Sequence, residues 1–115
     1  GEVAALFARA GFVVITSFIS PFSKDRRNAL EAYSDNSYEI YLSCDIETCE
    51  KRDPKGMYKK ARAGEIKNFT GISSPYETPS NPDIHVINNN ESLEDVSNEV
   101  INFLLKNNFI KERNV

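Results

Sequence analysis

Helical periodicity and helix-capping residues recur along the chain between short apolar runs. They predict an α-helix in each of five stretches. These are residues 2–10, 23–33, 45–52, 58–63 and the stretch that opens at Ser92. Two of the helices have a recognisable start, because Asp45 can cap the third and Ser92 with Asp95 three residues later forms a capping-box pattern.

Three apolar runs lie between these helices and predict β-strands at 12–19, 38–44 and 84–87. The first run is continuous and rich in β-branched residues, which is typical of a strand covered on both faces. Helices that alternate with such strands indicate an α/β fold with a parallel sheet. Three strands are few for such a sheet, so we expect further strands that these 115 residues do not contain.

Composition narrows the class of protein. A chain of 115 residues fits one domain, and its net charge of −3 gives no reason to expect nucleic acid or an anionic membrane as partner. The chain has neither a secretory signal pattern nor an apolar run long enough to span a bilayer. Cys44 and Cys49 have no metal-ligand spacing, and His85 is distant, so we expect no metal site, free thiols and a cytoplasmic location.

The most informative stretch is the basic segment, residues 52–71. It carries six cationic side chains and is punctuated by Gly56, Gly64 and Gly71. Cations on a glycine-hinged loop are suited to closing over a polyanion, and Phe69 offers a face on which a base can stack. The alternative interpretation is a solvated surface loop.

A second candidate site lies where the first predicted strand ends, at residues 17–22. Ligands of open α/β sheets bind outside the carboxyl ends of strands, and Ser20 stands at such an end. The alternative is a plain strand-to-helix turn in which Ser20 acts as a cap. Asp25, Arg26 and Arg27 follow, and by themselves they indicate a solvated helix face.

Three strings in the chain resemble the adenylylsulfate kinase family. They are RDPKGMYKKARAGEIKNFTGI from Arg52 to Ile72, its continuation SPYETPSNPDIHV to Val86, and SFISPFSKDRRNA from Ser17 to Ala29. The resemblance implies a P-loop NTPase-like fold of the nucleotide-kinase type, a parallel sheet with helices on both faces. It also implies transfer of the ATP γ-phosphate to adenosine 5′-phosphosulfate to give PAPS, with the family lid at about 54–72.

The same resemblance implies roles for individual residues. Ser20 matches a serine described in the family as a phosphorylated intermediate or reservoir. The residues that would contact adenylylsulfate are Ile19, Ser20, Lys55, Asn68 and Phe69, the last by stacking on adenine. Those that would contact ATP are Arg52, Lys59, Lys60, Arg62 and, in the loop 88–91, Glu91.

One departure from the family pattern is large. The chain contains no G-x-x-x-x-G-K-[ST] motif, the P-loop that cradles phosphates and helps to place Mg²⁺. We therefore expect residues 1–115 to be a partial kinase domain, inactive alone, whose cosubstrate is ATP with Mg²⁺. The alternative is a non-catalytic remnant that binds nucleotide or another chain. The resemblance leaves open a homodimer and a fusion to, or association with, ATP sulfurylase.

Overall fold

A computed structural model of the chain describes residues 1–33 and 36–111. In this part of the chain, the structure has five helices where the sequence predicts them and two of the three predicted strands. The helices are α1 (Glu2–Arg9), α2 (Ser23–Glu31), α3 (Ile46–Arg52), α4 (Met57–Arg62) and α5 (Leu93–Lys106). The strands are β1 (Ile40–Ser43) and β2 (Ile84–Ile87). No helix among these residues has the length and apolar character needed to cross a membrane.

The two strands form a parallel pair, in the register Ile40 opposite Ile84 and Ser43 opposite Ile87. Helices α3 and α4 lie in the connection between them, and α5 packs against β2. Val86, in the middle of β2, is fully buried. This arrangement confirms the α/β fold with a parallel sheet.

Local capping signals predicted the helix starts correctly. The Asp45 carboxylate accepts a hydrogen bond of 2.7 Å from the Thr48 backbone N–H at the start of α3. At the start of α5, the Ser92 and Asp95 side chains each accept from the other's backbone N–H, which completes the predicted capping box. Helix α1 ends before Gly11, whose φ of 91° favours glycine.

The prediction of a β-strand at Phe12–Ile19 is wrong for this structure. The segment belongs to no strand of the structure, and its apolar side chains are open to solvent, with Ile15 80% and Phe18 74% exposed. The physical reason is that a strand needs a neighbour to satisfy its backbone groups. Among the described residues none pairs with it, because β1 bonds only to β2.

Candidate functional site

The basic segment, residues 52–71, contains helix α4 and a hydrogen-bonded turn that begins at Phe69. Gly56 stands before α4 with φ of 65°, and Ala61 on that helix is buried. After α4, the Phe69 carbonyl accepts from the backbone N–H groups of Ser73 and Ser74 at 2.9 and 3.1 Å. The Phe69 N–H donates to the Ser73 hydroxyl at 3.0 Å. The segment therefore has a defined path on both sides of α4.

Arg52 joins the start of this segment to the loop 88–91 that follows β2. Its Nη1 donates to the Asn88 carbonyl at 3.1 Å and to Asn88 Oδ1 at 3.2 Å. Its Nη2 donates to the Asn89 carbonyl at 2.5 Å. The structure thus joins Arg52 to the loop that contains Glu91, and the resemblance places both residues at ATP.

The carboxylate of Glu91 folds back on the same loop. Its Oε2 accepts from the backbone N–H groups of Asn89 and Asn90 at 2.7 and 2.9 Å. The bond from its own backbone N–H, and then those from Asn89 and Asn90, hold the pKa of Glu91 below its usual range, and the positive charge of Arg52 acts in the same direction. Two of the residues expected at ATP therefore meet at the loop 88–91, which contains Glu91 and to which Arg52 is bonded from the end of α3.

The remaining cations of the segment differ in what they contact. Arg62 forms an ion pair with Glu50, with its Nε and its Nη2 each 2.7 Å from Oε1. Lys55, Lys59 and Lys60 are exposed. The backbone N–H of Lys59 donates to Asp53 Oδ2 at 3.0 Å, and that of Lys60 donates to the Gly56 carbonyl at 3.2 Å. In this conformation Arg62 faces a carboxylate, while the three lysine side chains lie in solvent.

Phe69, expected at adenine, is half-buried. The centroid of its ring lies 5.0 Å from that of the Tyr58 ring, and the two rings are in an edge-to-face arrangement. Asn68 beside it is exposed and has a φ of 56° in the left-handed region.

Behind Tyr58 lie the two thiols, which are free as predicted. Burial, then a hydrogen bond with Cys49, raises the pKa of Cys44 to about 11 and that of Tyr58 to about 12. These groups are therefore neutral at physiological pH.

At the other candidate site, Ser20 has φ of 40°, which is rare for a residue with a side chain. Its carbonyl accepts from Arg26 Nη1 at 2.7 Å. Ile19 is exposed and Ser20 is half-buried. Among the described residues, no hydrogen bond or ion pair joins Ser20 to a cation of the basic segment, so the structure does not bring the two expected halves of the adenylylsulfate site into contact.

The interpretation of Arg26 as part of a solvated face is wrong. Its side chain is only 12% exposed, and its Nε lies 2.7 Å from Glu39 Oε1. That oxygen accepts no hydrogen bond of regular geometry from a described residue, so the contact is an ion pair. Arg26 Nη2 donates to the Glu77 carbonyl at 2.7 Å. Sequence reasoning missed Arg26 and Glu77, and its one signal was that both lie in strings with family resemblance.

Comparison with known proteins gives this geometry a family. A family model described as adenylylsulphate kinase matches residues 1–87, which include both candidate sites. The chain belongs to the adenylylsulphate kinase family. It is 55% identical over 103 residues to the adenylyl-sulfate kinase of Clostridium acetobutylicum and 46% identical over 111 residues to that of Staphylococcus epidermidis.

The chain spans about half the length of these relatives of the kinase family. The matches cover 90% and 96% of the chain but 52% and 56% of the two curated proteins. The structure is also similar to that of the Mycobacterium tuberculosis APS kinase CysC in complex with AMPPNP and APS. The TM-score is 0.84 at 42% identity, over 90% of this chain and 61% of that one.

The residues of this family member do not by themselves fit Mg²⁺. Metal sites in proteins need several oxygen, nitrogen or sulfur ligands that converge on one point. Across 1–33 and 36–111, no three Asp, Glu, His or Cys side chains converge in this way. The 115 residues also lack the P-loop, which would supply a hydroxyl ligand.

Proposed function

We propose that this chain is part of an adenylylsulfate kinase. In the reaction, the 3′-oxygen of adenosine 5′-phosphosulfate attacks the γ-phosphorus of ATP, and the bond from that phosphorus to the β–γ bridging oxygen breaks. The hydroxyl proton is lost, and the products are PAPS and ADP. The observation that carries the proposal is the family match over residues 1–87, which spans both candidate sites.

On the adenylylsulfate side, we assign substrate contacts to Ile19, Ser20, Lys55, Asn68 and Phe69. The half-buried ring of Phe69 supports a stacking role, because one face can pack on protein while the other receives a base. The exposed ammonium of Lys55 is free to meet an anion. Closure of the basic segment over the substrate would bring these residues towards Ser20.

On the ATP side, we assign contacts to Arg52, Glu91, Lys59, Lys60 and Arg62. Arg52 and the loop 88–91 are held together by three hydrogen bonds, which gives an adenine a rigid wall. The exposed Lys59 and Lys60 can cover phosphates, and Arg62 can do so after it leaves Glu50. ATP would enter with Mg²⁺ as its counter-ion, and that ion would supply charge neutralisation at the phosphates.

Ser20 is the candidate catalytic residue, and its fixed backbone supports a binding role. Kinases of the P-loop type transfer phosphate in line and directly, with positioning and electrostatics as the main contributions. We therefore assign Ser20 to holding adenylylsulfate. Phosphorylation of its hydroxyl is a side reaction or a reservoir in this scheme, not an obligatory step.

The test is an assay of the whole protein with ATP and adenylylsulfate. ADP should appear only when adenylylsulfate is present, with PAPS in equal amount by chromatography. Nucleotide binding without PAPS formation would overturn the kinase proposal and favour a non-catalytic nucleotide-binding protein. We name this alternative because these 115 residues contain no P-loop.

Residues Gly1–Val115 alone are expected to make no detectable PAPS. They contain no P-loop N–H groups to surround the β- and γ-phosphates, and preorganised electrostatics is usually the largest contribution to such catalysis. Turnover well above background from the purified 115-residue chain would contradict this expectation. A homodimer, an association with ATP sulfurylase and a cytoplasmic location are proposals that rest on the resemblance and composition alone.

A further inference from the structure

Arg26 uses every nitrogen of its guanidinium to connect three separate parts of the chain. Nε pairs with Glu39, just before β1. Nη1 donates to the Ser20 carbonyl, in the candidate substrate site at residues 17–22. Nη2 donates to the Glu77 carbonyl, in the stretch that follows the basic segment. The planar fork of arginine suits such divergent contacts, whereas a lysine ammonium is a single point charge.

Glu77 contacts the same region through its N–H, its carbonyl and one carboxylate oxygen. Its N–H donates to the Pro21 carbonyl at 2.8 Å, and its carbonyl accepts from Arg26. Its Oε2 accepts from the backbone N–H and the hydroxyl of Ser23 at 2.7 and 2.6 Å, which satisfies the first turn of α2. The pKa of Glu77 is lowered by these bonds, the Ser23 hydroxyl first, so the carboxylate is charged at neutral pH.

These contacts hold the chain at Ser20 and directly after it. Ser20 stands in the left-handed region, where a residue with a side chain persists only when its surroundings hold it there. The Arg26 bond fixes its carbonyl, and the Glu77 bonds fix the next residue and the start of α2. The direction in which Ile19 and Ser20 face is therefore set by two residues that need not touch a substrate themselves.

We propose that Arg26 and Glu77 are positioning residues that orient Ile19 and Ser20 for adenylylsulfate. The inference rests on the proposed function, because it assumes that Ile19 and Ser20 bind that nucleotide. Their contacts lie with residues 20–23, 39 and 77, whereas Arg52 and Glu91 are bonded to the loop 88–91. Loss of either residue should thus weaken adenylylsulfate binding more than ATP binding.

The test compares Arg26→Lys and Glu77→Gln in the whole protein by steady-state kinetics with each nucleotide varied. Arg26→Lys keeps the charge opposite Glu39 but cannot bond both carbonyls. Glu77→Gln keeps the backbone bonds and weakens the acceptance from Ser23. Each variant should raise KM for adenylylsulfate roughly tenfold, the factor for about one charged hydrogen bond, with KM for ATP changed less than about twofold.

Matched controls are Arg27→Lys, next to Arg26 on α2, and Glu31→Gln at the exposed end of that helix. Both should leave the two KM values unchanged. A purely structural role would instead reduce the active fraction, and kcat would fall with both KM values intact. That outcome, or equal changes in both KM values, would overturn the inference.

The result also separates this inference from the function on which it rests. Wild-type protein that makes no PAPS refutes the kinase proposal itself. Active wild-type protein with unselective variants refutes only the positioning role. If circular dichroism shows that Arg26→Lys does not fold, the Glu77→Gln variant decides the question alone. That variant keeps the bond from the residue 77 N–H to the Pro21 carbonyl and the bond from Arg26 Nη2 to the residue 77 carbonyl, because neither bond uses the carboxylate.

Discussion

Replacing Arg52 with methionine should destabilise the chain by about 2 kcal/mol. Methionine keeps most of the side chain's apolar length but removes three hydrogen bonds from a cation, two to backbone carbonyls and one to an amide oxygen. A single hydrogen bond to a charged group contributes about 1.5–3 kcal/mol. Arg52 is exposed, so water replaces part of that contribution, and the three bonds share one side chain.

The matched control is Arg62→Met, ten residues further along the basic segment. Arg62 also makes a close contact, at 2.7 Å from Glu50 Oε1, but its side chain is 57% exposed and its partner is a single carboxylate oxygen. Exposed ion pairs of this kind contribute about 0–1 kcal/mol. Both variants therefore remove one positive charge from the basic segment. They differ because Arg52 is bonded to the loop 88–91, whereas Arg62 is paired with Glu50.

Urea unfolding of the 115-residue chain, followed by circular dichroism, measures both changes as shifts of the midpoint at constant slope. In the whole protein, Arg52→Met should also raise KM for ATP more than KM for adenylylsulfate. Equal destabilisation by the two variants would show that the bonds from Arg52 to the loop 88–91 contribute no more than a surface charge, and the reasoning would fail.

Two further predictions concern the adenylylsulfate side of the whole protein. Phe69→Ala should weaken adenylylsulfate binding by about 1–3 kcal/mol, the range for a lost base stack, with little effect on ATP. Calorimetric titration with each nucleotide measures this, and equal losses would give Phe69 another role. Ser20→Ala should keep measurable PAPS formation because in-line transfer needs no phosphoserine. Abolished turnover with adenylylsulfate affinity preserved would instead support an obligatory intermediate.

Sequence reasoning predicted what depends on neighbours in the chain. The capping residues Asp45 and Ser92 each bond a residue three positions later. The local sequence alone therefore indicates where α3 and α5 begin. The Phe12–Ile19 run has equally clear β-propensity. Whether it pairs depends on a neighbouring strand in the fold, and the β-propensity of a segment gives no information about its neighbours. The structure therefore agrees with the predicted helices and differs at this strand.

The Arg26–Glu77 contacts lie beyond such reasoning for a related reason. The two residues are 51 positions apart, and each has polar neighbours that make it look like surface. Arg52 was assigned to a site by resemblance, and its bonds to the loop 88–91 became visible only once the fold had brought segments 36 and 37 positions apart together. The substrate contacts of Lys55, Asn68 and Phe69 stay predictions.

The parallel pairing of β1 with β2 has a consequence for how the chain folds and varies. Contacts across this pair, such as that from the Glu39 N–H to Asp83 Oδ2, join residues 44 apart, with the whole basic segment inside the loop they close. Contacts of such long range slow folding, because the entropy of closing the loop is lost before the strands pair. That entropy grows only logarithmically with loop length, by about 0.6 kcal/mol per doubling. The segment can therefore lengthen or shorten by several residues with little effect on the sheet that carries it.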